Sequence, residues 1–189
     1  KDVKERSATV RFRCKDDDAS YLAWTTTPWT LPSNVCLCVN ANVEYVKARK
    51  DGENYILAAD LVGSVLGEEG VEILEHYKGS DLVGRSYEPL FQCTLDACNG
   101  KKGHIVVADD YVTTTDGTGI VHNAPAFGED DARVCRENDM PFIQLVNTKG
   151  EMCGGTPWDG TFVKDADKLI IEALDKAGLL FDAPVFEHS

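Results

Sequence analysis

Between Gly117 and Asp131 the chain has little freedom in what it can become. Gly117 and Gly119 permit backbone conformations and close approaches that a side chain forbids, and Ile120 and Val121 read as a strand that ends on His122. Pro125 cannot continue a sheet ladder and Gly128 breaks the chain again. Glu129, Asp130 and Asp131, followed by Ala132, Val134 and Cys135, suit a helix with acids in its first turn. A strand end, a loop and a helix start therefore converge, which is a common way to build a site. Each part alone has a plainer explanation. A histidine among aliphatics is more often a satisfied core residue, and an Asp pair at a helix start is more often a cap.

Elsewhere short runs of β-formers alternate with turn residues. Ala8 to Cys14 alternates as a half-buried strand does, and Tyr21 to Thr27 continues in β-formers up to Pro28. Pro28 and Pro32 predict an irregular loop able to point hydroxyls and amides outward. Val35 to Val39, Val43 to Arg49 and Tyr55 to Ala58 read as a meander, with Asp51-Gly52 as a hairpin turn. Asp60 to Leu66 predicts a short helix stopped by Gly67. Further strands are expected at Val71 to Leu74, Ser86 to Phe91, His104 to Ala108, Tyr111 to Thr114 and Phe142 to Val146, with Asn99 to Gly103 an exposed tip. Ala166, Leu169, Ile170, Ala173, Leu174 and Ala177 recur at helical spacing before Gly178, which predicts a helix packed on a sheet. With no repeat and no linker-like tract, residues 1–189 read as one mainly β domain, a barrel-like β-rich sheet with a few peripheral α-helices.

An apolar content of 43% supports one sizeable core. No apolar run is long enough to span a bilayer, and Lys1 to Arg13 is charged throughout, unlike a signal sequence, so no membrane partner is expected. A net charge of −13 argues against a module that grips duplex DNA or RNA through many phosphates, because such affinity comes from lysine and arginine. Lys47, Arg49 and Lys50, and Lys101 and Lys102, form local basic clusters that read as solvated turn charges. Seven cysteines without a Cys-x-x-Cys pair point to reduced thiols and a cytoplasmic setting, and they predict no metal site.

Two stretches carry a resemblance. Thr25-Thr26-Thr27-Pro28-Trp29-Thr30-Leu31-Pro32-Ser33-Asn34 and Gly117-Thr118-Gly119-Ile120-Val121-His122-x-Ala124-Pro125 together resemble the editing domain, or connective-peptide insertion, of isoleucyl-tRNA synthetases. Phe162 to Asp167 and the terminal His188-Ser189 extend the likeness over nearly the whole chain. In the sister valyl and leucyl enzymes an arginine usually stands at the place of Thr27, and the histidine is replaced. Ala126-Phe127-Gly128-Glu129 occupies the place where bacterial members often carry Gly-His-Gly, and it resembles the eukaryotic cytosolic branch. The ATP-site signatures His-Ile-Gly-His and Lys-Met-Ser-Lys-Ser are absent, and Gly103-His104-Ile105-Val106 is no substitute. The resemblance thus leaves ATP and Mg to a synthetic domain outside this chain and implies no cofactor for editing.

The implied activity is post-transfer editing by an aminoacyl-tRNA deacylase, which hydrolyses the ester joining a wrong amino acid, valine, to the 3′ end of the isoleucine tRNA. The parent enzyme ligates isoleucine to that tRNA with ATP. An apolar pocket cannot strongly reject a substrate one methylene smaller, so a second, smaller site removes the error, and isoleucyl-tRNA synthetase is the standard example. By the resemblance, Thr25, Thr26, Thr27, Thr30 and Asn34 line the side that holds the terminal adenosine and the attacking water. His122 walls the amino-acid side-chain pocket, and Asp131 receives the ammonium group, with Thr25, Thr26, Thr27 and Asp131 as the catalytic set. No nucleophilic side chain is implied: water attacks, aided by a ribose hydroxyl, while the protein positions the groups. The implied partners are the tRNA 3′-terminal adenosine carrying valine and the rest of the synthetase chain. A non-catalytic module that holds the tRNA end or a protein partner fits the acidity and the missing nucleophile–base pair equally well.

Overall fold

The computed structural model describes residues 3–188, so Lys1, Asp2 and Ser189, the last part of a resemblance motif, lie outside the described residues. The strands are β1 (Val3–Arg6), β2 (Ala8–Arg13), β3 (Ala19–Thr25), β4 (Cys36–Val39), β5 (Glu44–Lys50), β6 (Glu53–Ala58), β7 (Val71–Lys78), β8 (Ile105–Ala108), β9 (Val121–Asn123), β10 (Leu180–Asp182) and β11 (Val185–His188). The helices are α1 (Val62–Leu66), α2 (Gly79–Leu82), α3 (Gln92–Cys98), α4 (Glu129–Glu137) and α5 (Val163–Lys176). Alternation in sequence becomes alternation in burial: β2 sinks Ala8, Val10 and Phe12 into the core and leaves Arg13 in solvent. The β5–β6 hairpin turns at Asp51 and Gly52, both with positive φ (52° and 81°), as the Asp-Gly pair predicts.

Six strands form one mixed sheet in the order β10-β2-β3-β6-β5-β7, antiparallel except for the β3–β6 pair. Three more form a second sheet, β8-β4-β9, with β4 parallel to β8 and antiparallel to β9. β1 and β11 make a separate ribbon. The strand-rich fold with a few helices is as expected from the sequence; among the described residues no closed ring of strands forms, so the barrel-like arrangement is not borne out and the strands stand in separate sheets. The cause lies between β3 and β4. Pro28–Ser33 is a 3-10 turn with Pro32 inside it, not an irregular loop, and it diverts β4 out of the larger sheet.

Three expected strands are absent. Ser86 to Phe91 makes only the isolated bridges of Ser86 with Ile105 and Tyr87 with Cys14, Phe142 to Val146 only that of Val146 with Met152, and Tyr111 to Thr114 runs as a loop. Tyr87, Val112, Ile143 and Leu145 of these stretches are buried all the same, while Phe142 is exposed, so the pattern reported burial of part of each stretch and not ladder pairing. The short helices α2 and α3 carry no apolar period long enough to announce them. In α5 the buried face is Val163, Ala166, Ile170 and Leu174, with Leu169 and Ala177 of the expected stripe in solvent. That face belongs to one buried cluster with Val10, Phe12 and Leu31, and the Asp167 carboxylate accepts the Trp29 backbone N–H at 2.9 Å, which pins α5 to the 3-10 turn.

Gly119 shows how tightly the turn before β9 is set. Its φ is +80°, and a Cβ there would lie 2.5 Å from the Ala58 side chain. Gly117, at φ +70°, meets only Trp24 at 3.5 Å, an ordinary contact. Gly119→Ala is therefore expected to cost about 2–4 kcal/mol, strain and overpacking together, against about 1–2 kcal/mol for Gly117→Ala. Urea unfolding midpoints of the two variants check the order.

Candidate active site

The Gly117–Gly119 turn is clamped to the larger sheet. The Ala58 N–H donates to the Thr118 carbonyl at 2.9 Å, the Thr118 hydroxyl donates to the Leu22 carbonyl, and the Tyr45 hydroxyl donates to the Gly119 carbonyl at 2.6 Å. From this clamp the chain enters β9, which pairs with β4 so that His122 lies opposite Leu37. The end of β3, the 3-10 turn, β9 and the start of α4 then enclose a cavity of about 350 Å³. Thr25, Thr26, Thr27, Thr30, His122 and Asp131 all line it, as expected from sequence. Trp24, Tyr111, Thr113, Asp116 and Phe127 also line it; Trp24 directly precedes the threonine run and Phe127 lies within the Gly117–Asp131 stretch, whereas Tyr111, Thr113 and Asp116 were not foreseen. Asn34 stands apart from the cavity, buried behind His122.

The partners of His122 fix its chemistry. Asn34 Nδ2 donates to the Cys36 carbonyl at 3.0 Å, which sets the amide so that the same nitrogen also donates to His122 Nδ1 at 3.0 Å. The single ring proton then sits on Nε2 and is donated to Thr30 Oγ1 at 2.8 Å. The Thr30 hydroxyl donates to the Thr27 carbonyl at 2.8 Å. Its oxygen is thus left to accept from the Thr27 hydroxyl at 3.3 Å, which in turn accepts from Thr25 at 3.3 Å, while Thr25 Oγ1 accepts the Thr27 N–H at 3.0 Å. The hydroxyls of Thr25, Thr27 and Thr30 form one oriented row. Thr26 is exposed, and its hydroxyl has no side-chain partner among the described residues.

Burial pushes the His122 pKa down to about 4, from an ordinary 6.5. With both nitrogens engaged and the ring neutral, it has no free lone pair with which to take a proton from a molecule in the cavity. A histidine with a depressed folded pKa stabilises the fold above the unfolded value, and that stability is lost as pH falls through the folded one. Acidification from about pH 6.5 to pH 4 should therefore cost on the order of 3 kcal/mol through this residue. His104, also depressed by burial, adds to the same loss. Thermal melts across that range check it, and His122→Gln should flatten the dependence.

Asp131 is the third residue of α4, half-buried, with Oδ2 accepting the Ala124 N–H at 2.9 Å. Burial raises its pKa, the Ala124 N–H opposes that, and the Asp130 charge adds to it. Asp130 points away and pairs with Arg133 at 3.4 Å in solvent. Phe127 packs edge-on against Trp29 with ring centroids 5.1 Å apart, joining the two sequence motifs across one end of the site. Of the basic clusters, Lys47 is held by Asp17 (2.7 Å) and Asp18 (2.9 Å), Lys50 by the Leu66 carbonyl, and Lys101 by Asp139 at 3.3 Å. All seven cysteines are free, and no helix among the described residues is long and apolar enough to cross a membrane.

No family model matches the chain. It is 49% identical over 190 residues to the isoleucine–tRNA ligase of Clostridium kluyveri and 48% identical over 191 residues to that of Bacillus thuringiensis, matching along its whole length in each case. The chain spans 18% of the length of these relatives. Both are bacterial, so the eukaryotic cytosolic branch expected from Ala126 to Glu129 receives no support. Among solved structures, the P. knowlesi cytosolic leucyl-tRNA synthetase editing domain matches with a TM-score of 0.72 at 14% identity, covering 94% of this chain and 95% of that one. The P. falciparum counterpart matches with a TM-score of 0.66 at 14% identity, covering 93% and 81%. Along its whole length, then, the chain is similar to a portion of isoleucine–tRNA ligases, and it has the fold of leucyl-tRNA synthetase editing domains.

Proposed function

We propose that the cavity is a post-transfer editing site that hydrolyses valyl-tRNA of the isoleucine tRNA. The observation that carries this reading is the arrangement of one small cavity between an oriented threonine row, a neutral histidine wall and a carboxylate. The similarity to isoleucine–tRNA ligases and the editing-domain fold support it. In this reading the 3′-terminal adenosine and the attacking water lie along Thr25, Thr26, Thr27 and Thr30, the ammonium group meets Asp131, and the branched side chain stops at His122. Asn34 acts through His122. Water oxygen bonds to the ester carbonyl carbon, the bond to the ribose oxygen breaks, and free valine and a ribose hydroxyl leave. His122 takes no proton in this sequence; the resemblance to isoleucyl-tRNA synthetase editing domains implies that a ribose hydroxyl of the substrate assists the water. Hydrolysis uses no cofactor; ATP and Mg serve ligation by the remainder of a longer cytoplasmic synthetase, which also supplies most of the tRNA contacts.

Incubating the chain with valyl-tRNA and with isoleucyl-tRNA tests the reading. Valine release should exceed isoleucine release by at least roughly tenfold, the lower end of what one methylene is worth. Equal rates would remove the size sieve. Release no faster than the buffer blank would instead favour a non-catalytic module that holds the tRNA end or a protein partner.

A further inference from the structure

The hydrogen bonds that hold His122 continue past the cavity wall into the core. Asn34 Oδ1 accepts from the Tyr87 hydroxyl, and the Asn34 backbone carbonyl accepts from His104 Nε2 at 3.0 Å. Tyr87 is fully buried and sits edge-on to both Phe12 (5.4 Å) and His104 (5.6 Å). His104 has a φ of +61°, rare for a residue with a side chain, and its N–H donates to the Val35 carbonyl at 2.6 Å. Such a conformation persists only where the surroundings impose it. Neither Tyr87 nor His104 lines the cavity.

A side-chain amide has a donor end and an acceptor end, and rotating it exchanges them. Tyr87 donates to the acceptor end and the Cys36 carbonyl accepts from the donor end, so turning the amide would set its oxygen against the Cys36 carbonyl and leave the buried Tyr87 proton without this acceptor. His104 holds the backbone of the same residue. A donor is thereby presented to His122 Nδ1, and the ring proton is left on Nε2, where Thr30 accepts it.

We propose that Tyr87 is a positioning residue for the site, acting through Asn34 to hold His122 in the Nε2–H tautomer with its ring locked as the cavity wall. The tautomer follows from this geometry alone. Its consequence for selectivity rests on the reading of His122 as the wall of the editing pocket.

Long-range nitrogen–proton spectra of the chain labelled with ¹⁵N-histidine test the proposal. Wild-type His122 should be a single neutral species with Nε2 protonated and Nδ1 an acceptor. Tyr87→Phe, which keeps the ring and deletes the hydroxyl, should add an Nδ1–H population while the backbone spectrum stays that of the folded protein. Phe12→Leu, which loosens the packing on Tyr87 and touches no hydrogen bond of the relay, should lower the melting temperature and leave the tautomer unchanged. A wild-type proton on Nδ1, or a folded Tyr87→Phe with only the Nε2–H signal, overturns the proposal. Should Tyr87→Phe not fold, Asn34→Asp decides. An ionised aspartate can only accept, so at a pH where its carboxylate is charged the His122 proton should move to Nδ1, and a retained Nε2–H species overturns the relay. In parallel, Tyr87→Phe should raise isoleucyl relative to valyl release by roughly 2- to 10-fold, the worth of one hydrogen bond. A shifted tautomer with unchanged selectivity would sustain the positioning role and sink the wall reading.

Discussion

Asp131→Asn is expected to cut deacylation by roughly 10- to 150-fold while leaving the melting temperature unchanged or slightly higher. The rate loss is the worth of a charge-assisted hydrogen bond to the substrate ammonium, about 1.5–3 kcal/mol, which also fixes where the ester carbonyl lies. The stability expectation has a separate origin. Burial raises the Asp131 pKa, so the protonated form is the one the fold favours; that contribution is present below the unfolded pKa and lost as pH rises through the folded one. At neutral pH the ionised carboxylate is a net cost to folding. Asparagine removes the charge, and its Oδ1 can still accept the Ala124 N–H. Asp131→Ala is the less clean change, since it also leaves that half-buried N–H without its acceptor, at about 1–3 kcal/mol. Asp130→Ala is the control, because its side chain is exposed and, among the described residues, engages only Arg133, and it should remain active. Rates and melts on the three variants check the set. An active Asp131→Asn, or an inactive Asp130→Ala, would place the ammonium elsewhere.

His122→Ala should shift selectivity most. If the ring stops the longer side chain, its removal lets isoleucine in, and the isoleucyl-to-valyl rate ratio should rise roughly 10- to 200-fold, the range for one methylene, for which these synthetases are the standard example. Valyl hydrolysis itself should persist. The substitution also removes a buried ring and deprives Asn34 and Thr30 of one partner each. Thr30 still donates to the Thr27 carbonyl and Asn34 to the Cys36 carbonyl, so the stability cost should stay near about 2–4 kcal/mol. A fall in both hydrolysis rates together with the melting temperature would instead make His122 a core residue only. Measuring both rates at a temperature where the variant is folded separates the two outcomes.

The sequence by itself determined the local pieces. Gly117 and Gly119 permitted a turn with positive φ, Asp51-Gly52 favoured a hairpin, and the period of Ala166, Ile170 and Leu174 a helix, because each rests on conformational preferences that act within a few residues. The resemblance carried by two motifs about ninety residues apart in the chain also named six residues of one cavity, five within the motifs and Asp131 just beyond the second, and not through any local preference. Tertiary structure decided the rest. Whether Val112, Ile143 and Leu145 would pair as strands or only be buried depended on which neighbours reached them, and a side chain's hydrophobicity does not record that. The placing of Asn34 behind His122, of Asp167 under Trp29 and of Tyr87 and His104 beneath Asn34 depended on contacts between residues 53 to 138 positions apart. So did the tautomer of His122. A buried donor or acceptor takes whichever partner the packed chain brings within about 3 Å, and only the folded arrangement of β3, β4, β9 and α5 determines which partner that is.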